Sequence, residues 1–409
     1  MKAESITSIK TLFVNLVAIC ILTLVFVSIS FAESDEGSEQ ANLFGDWLGF
    51  RQSLEDKGIA MDSVLTLDTI GNVSGGLERK AVFLGNYDLT ASIDTEKAGL
   101  WADGTIFTYI LANFGEAPSS IVGDTQASDN IEAPETIKLY EAWYEHSLFA
   151  GASTLRIGLY DYNSEFDALN FAGGLINSSF GISPDISQVG PSIFPTTSLA
   201  VRLKVLPAEN YYMQGTVYDG IPGDPNNERG TRIRFDSGDG LFYGLELGRE
   251  GGEGIDYWKA AAGFWYHTAE FEDFKGELQD NNCGMYYIGE KMLLAEEDGE
   301  QGLGAFIQTG FARAKRNQVQ QYYGVGLSYT GVVPNRNKDV LSFGVANALN
   351  GSEFVDQDDS IKRAIELNYR LQATPYFALT PDVQYIINPG TTKGVDDALV
   401  LGLRTEIAM

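Results

Sequence analysis

Apolar and polar residues alternate through most of the chain, in runs of about ten residues separated by turn-forming residues. The run from Leu199 to Val205 is typical, because Arg202 and Lys204 lie between its apolar positions. Such runs begin near Ser63 and end with a closing run over Ala398 to Ala408. Period-two alternation predicts β-strands with one apolar and one polar face. We count seventeen runs, whereas closed bacterial barrels usually have an even number of strands, so one run is spurious or one is missed.

The alternation alone fits either a soluble β-sandwich or a membrane barrel, since both folds give a strand one apolar face. Aromatic residues near the ends of the runs favour the barrel, because such residues collect at membrane interfaces. They include Tyr160, Tyr211, Tyr212, Tyr257, Trp258, Tyr322, Tyr323, Tyr376 and Phe377. The pattern therefore predicts an all-β fold, a transmembrane antiparallel β-barrel over residues 63–409 with a polar, water-filled lumen.

The N-terminus has the features of a secretory signal peptide over residues 1–32. Lysines precede an apolar run from Thr11 to Phe31, and Ala32 supplies a small residue at the cleavage position. We expect cleavage before Glu33, with an uncleaved membrane anchor as the alternative.

Residues 33–62 form a polar segment with one short predicted helix, from Trp47 to Lys57. Asp46 is a suitable N-cap for this helix, and Gly58 is a suitable residue for its C-terminal cap. One face of the helix is apolar and is expected to pack on the protein. The residues of this face are Trp47, Phe50 and Leu54.

Charge and composition exclude several classes of function. The formal net charge is −28, and no basic cluster offers a phosphate-binding surface, so nucleic acid is not expected as a partner. Cys20 lies in the export segment, which leaves Cys283 alone, and the only histidines are His146 and His267. We therefore expect no metal site and no cofactor. Common enzyme motifs are also absent, and no enzymatic activity is expected.

Two connections between predicted strands are unusually long, Asn113 to Thr136 and Asp161 to Ser198. Counted from a periplasmic N-terminus, the second is the third outward loop. Connections of this length are uncommon unless they have a function, and this one is long enough to fold into the lumen and narrow it. The side chains expected at this constriction come from its first residues. They are Asp161, Asn163, Glu165, Phe166 and Asp167.

The most suggestive group of side chains for a channel is Glu141, Trp143 and Glu145. Period two places the three on one face of a strand, and carboxylates on a lipid-facing surface would be costly, so this face is predicted to line the lumen. An indole can contact the C–H face of a sugar ring while carboxylates accept hydrogen bonds from its hydroxyl groups. The alternative is that Trp143 packs at the membrane interface and the acids only solvate the wall.

Basic residues follow on the polar faces of the next predicted strands and are expected to form a ladder on one wall. They are Arg156, Arg202, Lys204, Arg232 and Arg234. Opposite charges on the long loop would set a transverse field across the lumen, and arginines can donate hydrogen bonds to sugar oxygens. The alternative is that these residues pair with the acids of the loop and fasten it to the wall.

Several segments, among them LFGDWLGFRQSLEDKGI (43–59) and LTPDVQYIINPG (379–390), resemble the OprB-type carbohydrate-selective porin family. The segment LFGDWLGFRQSLEDKGI (43–59) is similar to the family's entry segment, and LYEAWYEHSLF (139–149), LRIGLYDYNSEF (155–166) and INSSFG (176–181) are similar to its central block. The segment LTPDVQYIINPG (379–390) resembles its closing hairpin. One departure is the last residue, Met409, because barrels of this kind usually end in an aromatic residue.

The resemblance implies a barrel of sixteen strands, and we predict this number, with eighteen as the alternative. The barrel is expected in the bacterial outer membrane, in contact with its lipid. The resemblance also implies passive diffusion of small sugars, with monosaccharides as the expected cargo. A general porin that favours cations is the competing hypothesis, because the net charge would permit it. The sequence leaves open whether the chain forms a homo-oligomer.

Overall fold

The structure of the chain, a computed structural model, describes residues 42–296, 301–354, 361–390 and 394–409. The predicted signal peptide, residues 1–32, lies outside these ranges. Within them, sixteen strands form one closed antiparallel barrel in which each strand pairs with its neighbours in sequence, and the last pairs with the first. The strands are β1 Ile59–Gly76, β2 Ala81–Asp94, β3 Gly104–Gly115, β4 Thr136–Leu148, β5 Ser153–Tyr160, β6 Ser198–Ala208, β7 Tyr211–Asp219, β8 Leu241–Gly251, β9 Trp258–Glu272, β10 Leu278–Ala295, β11 Gly302–Ala312, β12 Val319–Thr330, β13 Val340–Asn350, β14 Ile361–Thr374, β15 Phe377–Ile387 and β16 Asp396–Ala408.

The alternation of apolar and polar residues in the sequence determines which side of the barrel wall each residue faces. On β6, Val201 and Leu203 are exposed on the outer surface, whereas Arg202 between them is buried inside. This arrangement is the reverse of a soluble sandwich, because a membrane barrel places its apolar residues towards lipid. The predicted fold and the count of sixteen strands are confirmed.

The sequence analysis counted one strand too many, and the prediction of a strand around Arg232 and Arg234 is wrong. Residues 220–240 are an irregular connection between β7 and β8, and these two strands pair directly with each other. The alternation there covers only a few residues, too short to cross a bilayer, and Gly230, Gly238 and Gly240 adopt positive φ values around it. The segment therefore turns instead of extending, and its arginines do not lie on the barrel wall.

The N-terminal segment is less helical than predicted. A 3₁₀ turn at Trp47–Gly49 leads into a short helix α1 at Phe50–Glu55, and β1 begins at Ile59, before the predicted start near Ser63. Phe50 is 58 % exposed, so the predicted apolar face is not packed as a whole. Arg51 lies 4.7 Å from the centroid of the Trp47 ring and donates a hydrogen bond to the backbone oxygen of Met409 at 3.0 Å. The segment thus contacts the residue that follows the last strand.

The remaining α-helices in the described ranges are short: α2 at Ser119–Val122 and α3 at Pro184–Ser187. None of the described helices is long and apolar enough to cross a bilayer. The three longest connections span residues 116–135, 161–197 and 220–240, and all three follow odd-numbered strands. They lie at the same end of the barrel, as outward loops do. We call the first two L2 and L3.

L3 runs inside the barrel and brings apolar side chains with it. Tyr162, Phe166 and Ile186 of L3 are buried against inward-facing aromatic residues of the wall, one from each of four consecutive strands. The four are Tyr218 of β7, Phe242 of β8, Trp265 of β9 and Tyr286 of β10. This side of the interior is therefore an apolar core and not the uniformly polar lumen that the alternation predicted. The reason is that the wall here faces a folded loop and not water.

Candidate functional site

Glu141, Trp143 and Glu145 share a face of β4 because of the period-two alternation, and a local irregularity just before them turns this face inward. Ile110 of β3 pairs with Leu139, whereas Tyr109 pairs with Glu141, so Tyr140 is an extra residue in the ladder. Such a bulge changes which positions of a strand point inward. Tyr140 and Glu141 are both buried as a result.

Trp143 lies between two other side chains on the inner wall. The ring of Phe107 stacks on it at a centroid distance of 4.8 Å, and the guanidinium carbon of Arg156 lies 3.9 Å from its centroid. Phe107 belongs to β3 and Arg156 to β5, the strands on either side of β4, so the two groups cover opposite faces of the indole. Its Nε1 donates to Glu141 at 2.8 Å. The expected free indole face is therefore absent.

Two glutamates and two arginines form a charged network beside Trp143. Arg156 and Arg202 face each other in register across β5 and β6. Glu145 accepts hydrogen bonds from Arg156 at 3.0 Å and from Arg202 at 2.5 Å. Glu165 of L3 accepts two hydrogen bonds from Arg202, at 2.6 and 2.8 Å, and lies 3.6 Å from Arg156. The network therefore joins the barrel wall to the loop.

The two arginines of this network differ in their access to the lumen. The side chain of Arg202 is 1 % exposed, and Glu145, Glu165 and Thr154 use its donors, so it has no donor left for a sugar. Arg156 and Glu145 retain 13 % and 23 % exposure. Arg202 therefore fastens the loop, and Arg156, Glu145 and Glu165, whose side chain is 15 % exposed, are the groups that a molecule in the lumen can reach. Of the five residues of the predicted ladder, only Arg156, Arg202 and Lys204 lie on strands of the barrel wall.

The structure also changes the roles of the predicted constriction residues. Asp161 accepts hydrogen bonds from the Tyr140 hydroxyl and from the Asn163 backbone, and burial raises its pKa. The Asn163 amide donates to the backbone oxygens of Phe166 and Asp167 and so stabilises the turn. Phe166 and Asp167 are fully buried and do not line the lumen.

Arg232 and Arg234, which were predicted to extend the ladder, instead pair with Asp224 within the connection 220–240. The Arg234–Asp224 distance is 2.6 Å and the Arg232–Asp224 distance is 3.9 Å. Both arginines are substantially exposed, and hydrogen bonds from the backbone of Asn226 and ion pairs with the two arginines lower the pKa of Asp224. They therefore stabilise an outward connection and do not contact the network around Arg156.

A second charged cluster joins L2 to the barrel. Arg404 of β16 donates to Asp68 of β1 at 2.7 Å and to Asp129 and Asn130 of L2 at 3.1 and 2.7 Å. Burial raises the pKa of Asp129 well above its usual range, although Arg404 opposes the shift. The length of L2 was visible in the sequence, but its inward fold was not. Among the described residues, no group of three or more His, Cys, Asp or Glu is placed to hold a metal ion.

A closed sixteen-stranded barrel with an inward-folded third loop and a charged inner wall is the architecture of a porin of the bacterial outer membrane. A model of the carbohydrate-selective porin OprB family matches residues 78–409, and the chain belongs to this family. The chain is thus a sugar-selective channel and not an enzyme, and the predicted family, function and outer-membrane location are confirmed.

Individual relatives agree with this assignment along nearly the whole chain. Porin B of Pseudomonas aeruginosa is 24 % identical over 422 residues, which cover 89 % of this chain and 90 % of the relative. A putative porin of Acinetobacter baylyi, QuiX, is 26 % identical over 416 residues, with 89 % and 92 % covered. The high-pH structure of Pseudomonas putida OprB shares the fold with a TM-score of 0.81 at 21 % identity, covering 92 % of this chain and all of that chain.

Proposed function

We propose that the preferred cargo is a monosaccharide and that it passes the exposed edge of the network formed by Glu145, Arg156, Arg202 and Glu165. The observation that carries this proposal is the partial exposure of Arg156 and Glu145, next to a loop that fills much of the interior. L2 and L3 both occupy space inside the barrel, which favours a small sugar over a larger one.

Arg156 and Glu145 offer complementary chemistry to a sugar. A guanidinium group donates to ring and hydroxyl oxygens, and a carboxylate accepts from hydroxyl hydrogens. Because each contact replaces one with water, its net value is about 0.5–1.5 kcal/mol. Binding of this strength is weak enough to allow release, as conduction through a channel requires.

Trp143 positions Arg156 and does not itself stack on the sugar. With Phe107 on one side and Arg156 on the other, the indole holds the guanidinium in position through a cation–π contact, which is worth about 0.5–2 kcal/mol. Glu141 fixes the indole through its Nε1 hydrogen. Glu141 and Trp143 are therefore proposed as positioning residues for Arg156.

The test is the swelling rate of liposomes that contain the purified protein, measured with glucose and with maltose. Glucose should enter faster than maltose, and Arg156→Ala should reduce the preference for sugars over similarly sized neutral polyols. Arg370→Ala is the matched control, because this arginine also faces inward but pairs with Glu406 of the wall. Equal rates for the two sugars would refute the proposed cargo, and an Arg156 variant with the rates of the control would refute the proposed site.

A further inference from the structure

L3 contains no basic residue from Asp161 to Thr197, yet three acidic residues of the barrel wall, besides Glu141 at the start of the loop, are buried against it. They are Glu246 of β8, Glu290 of β10 and Glu366 of β14, which we call the wall glutamates. Their exposure is 0 %, 4 % and 0 %. An unpaired carboxylate in such a position costs on the order of several kcal/mol. Since L3 offers no cationic side chain, these carboxylates need partners of another kind.

The partners are backbone N–H groups of L3. Glu246 accepts from the N–H of Asp167 at 3.1 Å, and Glu290 accepts from the N–H of Phe171 at 2.9 Å. Glu366 accepts from two consecutive N–H groups, those of Ile176 and Asn177, at 2.6 and 2.9 Å. Hydrogen bonds from backbone N–H groups to carboxylates are stronger than those to neutral acceptors. The three contacts fall at successive points along the loop as it crosses the barrel.

Each wall glutamate is also held in place by other side chains of the wall. The hydroxyl groups of Tyr212 and Tyr286 donate to Glu246, at 2.8 and 2.5 Å. Tyr257 donates to Glu290 at 2.8 Å, and Asn368 donates to Glu366 at 2.8 Å. The acceptors are therefore fixed on the rigid barrel and do not depend on the loop for their position.

We propose that the wall glutamates are the positioning residues that hold L3 across the lumen and thereby set the width of the channel. The inference rests on the proposed function in one respect, namely that L3 narrows the path of the sugar. The wall acts on the backbone of the loop, so the path of L3 is determined by barrel residues far from the loop in sequence.

Glu366→Gln is the sharpest test, because glutamine has the same shape but only one acceptor oxygen. It cannot accept both N–H groups, and its own amide group would face one of them. We expect hydrogen exchange at the amides of Ile176 and Asn177 to become about tenfold faster or more, the equivalent of one lost hydrogen bond. Single-channel conductance should rise. Glu290→Gln provides an independent second variant, with faster exchange expected at Phe171.

Glu406→Gln is the matched control, since Glu406 lies on β16 and pairs with Arg370 of the wall. Heat-modifiable migration in gels shows that each variant has a closed barrel. Faster exchange with higher conductance supports both the inference and the proposed role of L3. Faster exchange with unchanged conductance supports the anchoring but refutes L3 as the constriction. Exchange as slow as in the wild type and the control, in both variants, would overturn the inference.

Discussion

Arg202 provides the most demanding prediction, because its guanidinium joins L3 to the barrel wall. Its hydrogen bonds reach Glu165 of the loop at 2.6 and 2.8 Å and Glu145 of β4 at 2.5 Å. Arg202→Met retains the apolar volume of the side chain but leaves two carboxylates with only Arg156 between them. We expect L3 to be released from this part of the wall for part of the time.

The expected loss of free energy for docking of L3 follows from the burial of the ion pairs that Arg202 makes. Removal of one member of a buried ion pair costs about 3–5 kcal/mol, and the remaining Arg156 places the expected value near the lower limit. A loss of about 3 kcal/mol changes the ratio of docked to undocked loop by about a hundredfold. The wall glutamates still hold the middle of the loop, so the change is confined to the residues around Glu165.

Single-channel recording in planar bilayers detects this change directly. Arg202→Met should show frequent substates of higher conductance that the wild type lacks, together with faster cleavage of L3 by protease. Arg370→Met is the control, because the hydrogen-bond partners of Arg370, Glu406 and Gln372, both lie on the wall. A variant with the conductance, noise and protease resistance of the wild type would refute the proposed role of the ion pair.

Three further predictions concern the site, the loop and processing. Trp143→Ala should weaken the block of current by glucose tenfold or less, since only the position of Arg156 is lost, and an unchanged block would make the indole a packing residue. Burial raises the pKa of Asp167 to about 7, so its neutral form stabilises docked L3. This contribution is complete below about pH 4 and is lost as pH rises towards 7, and Asp167→Asn should flatten the pH dependence of L3 hydrogen exchange in that range. Mass spectrometry of the protein from outer membranes should show a mature chain that begins at Glu33, and an intact N-terminus would favour the anchor.

Alternation predicted the barrel well because the two faces of each strand contact different surroundings, lipid outside and the polar interior or L3 inside. It failed around Arg232, where a few alternating residues lie in the irregular connection between β7 and β8. That Glu145 shares a face with Glu141 and Trp143 followed from period two, and its inward direction followed from the cost of a carboxylate that faces lipid. The burial of Arg202 and the stacking of Phe107 on Trp143 did not, because they depend on L3 and on register between strands.

The central claim is that the chain is a sugar-selective channel with a weak binding site in its lumen. The most direct measurement is the single-channel conductance of the wild-type protein as glucose is added at constant salt. The account predicts a saturable fall in conductance, beyond the small decrease that the added sugar causes in the conductivity of the solution. A conductance that only followed the conductivity of the solution, without saturation, would contradict it.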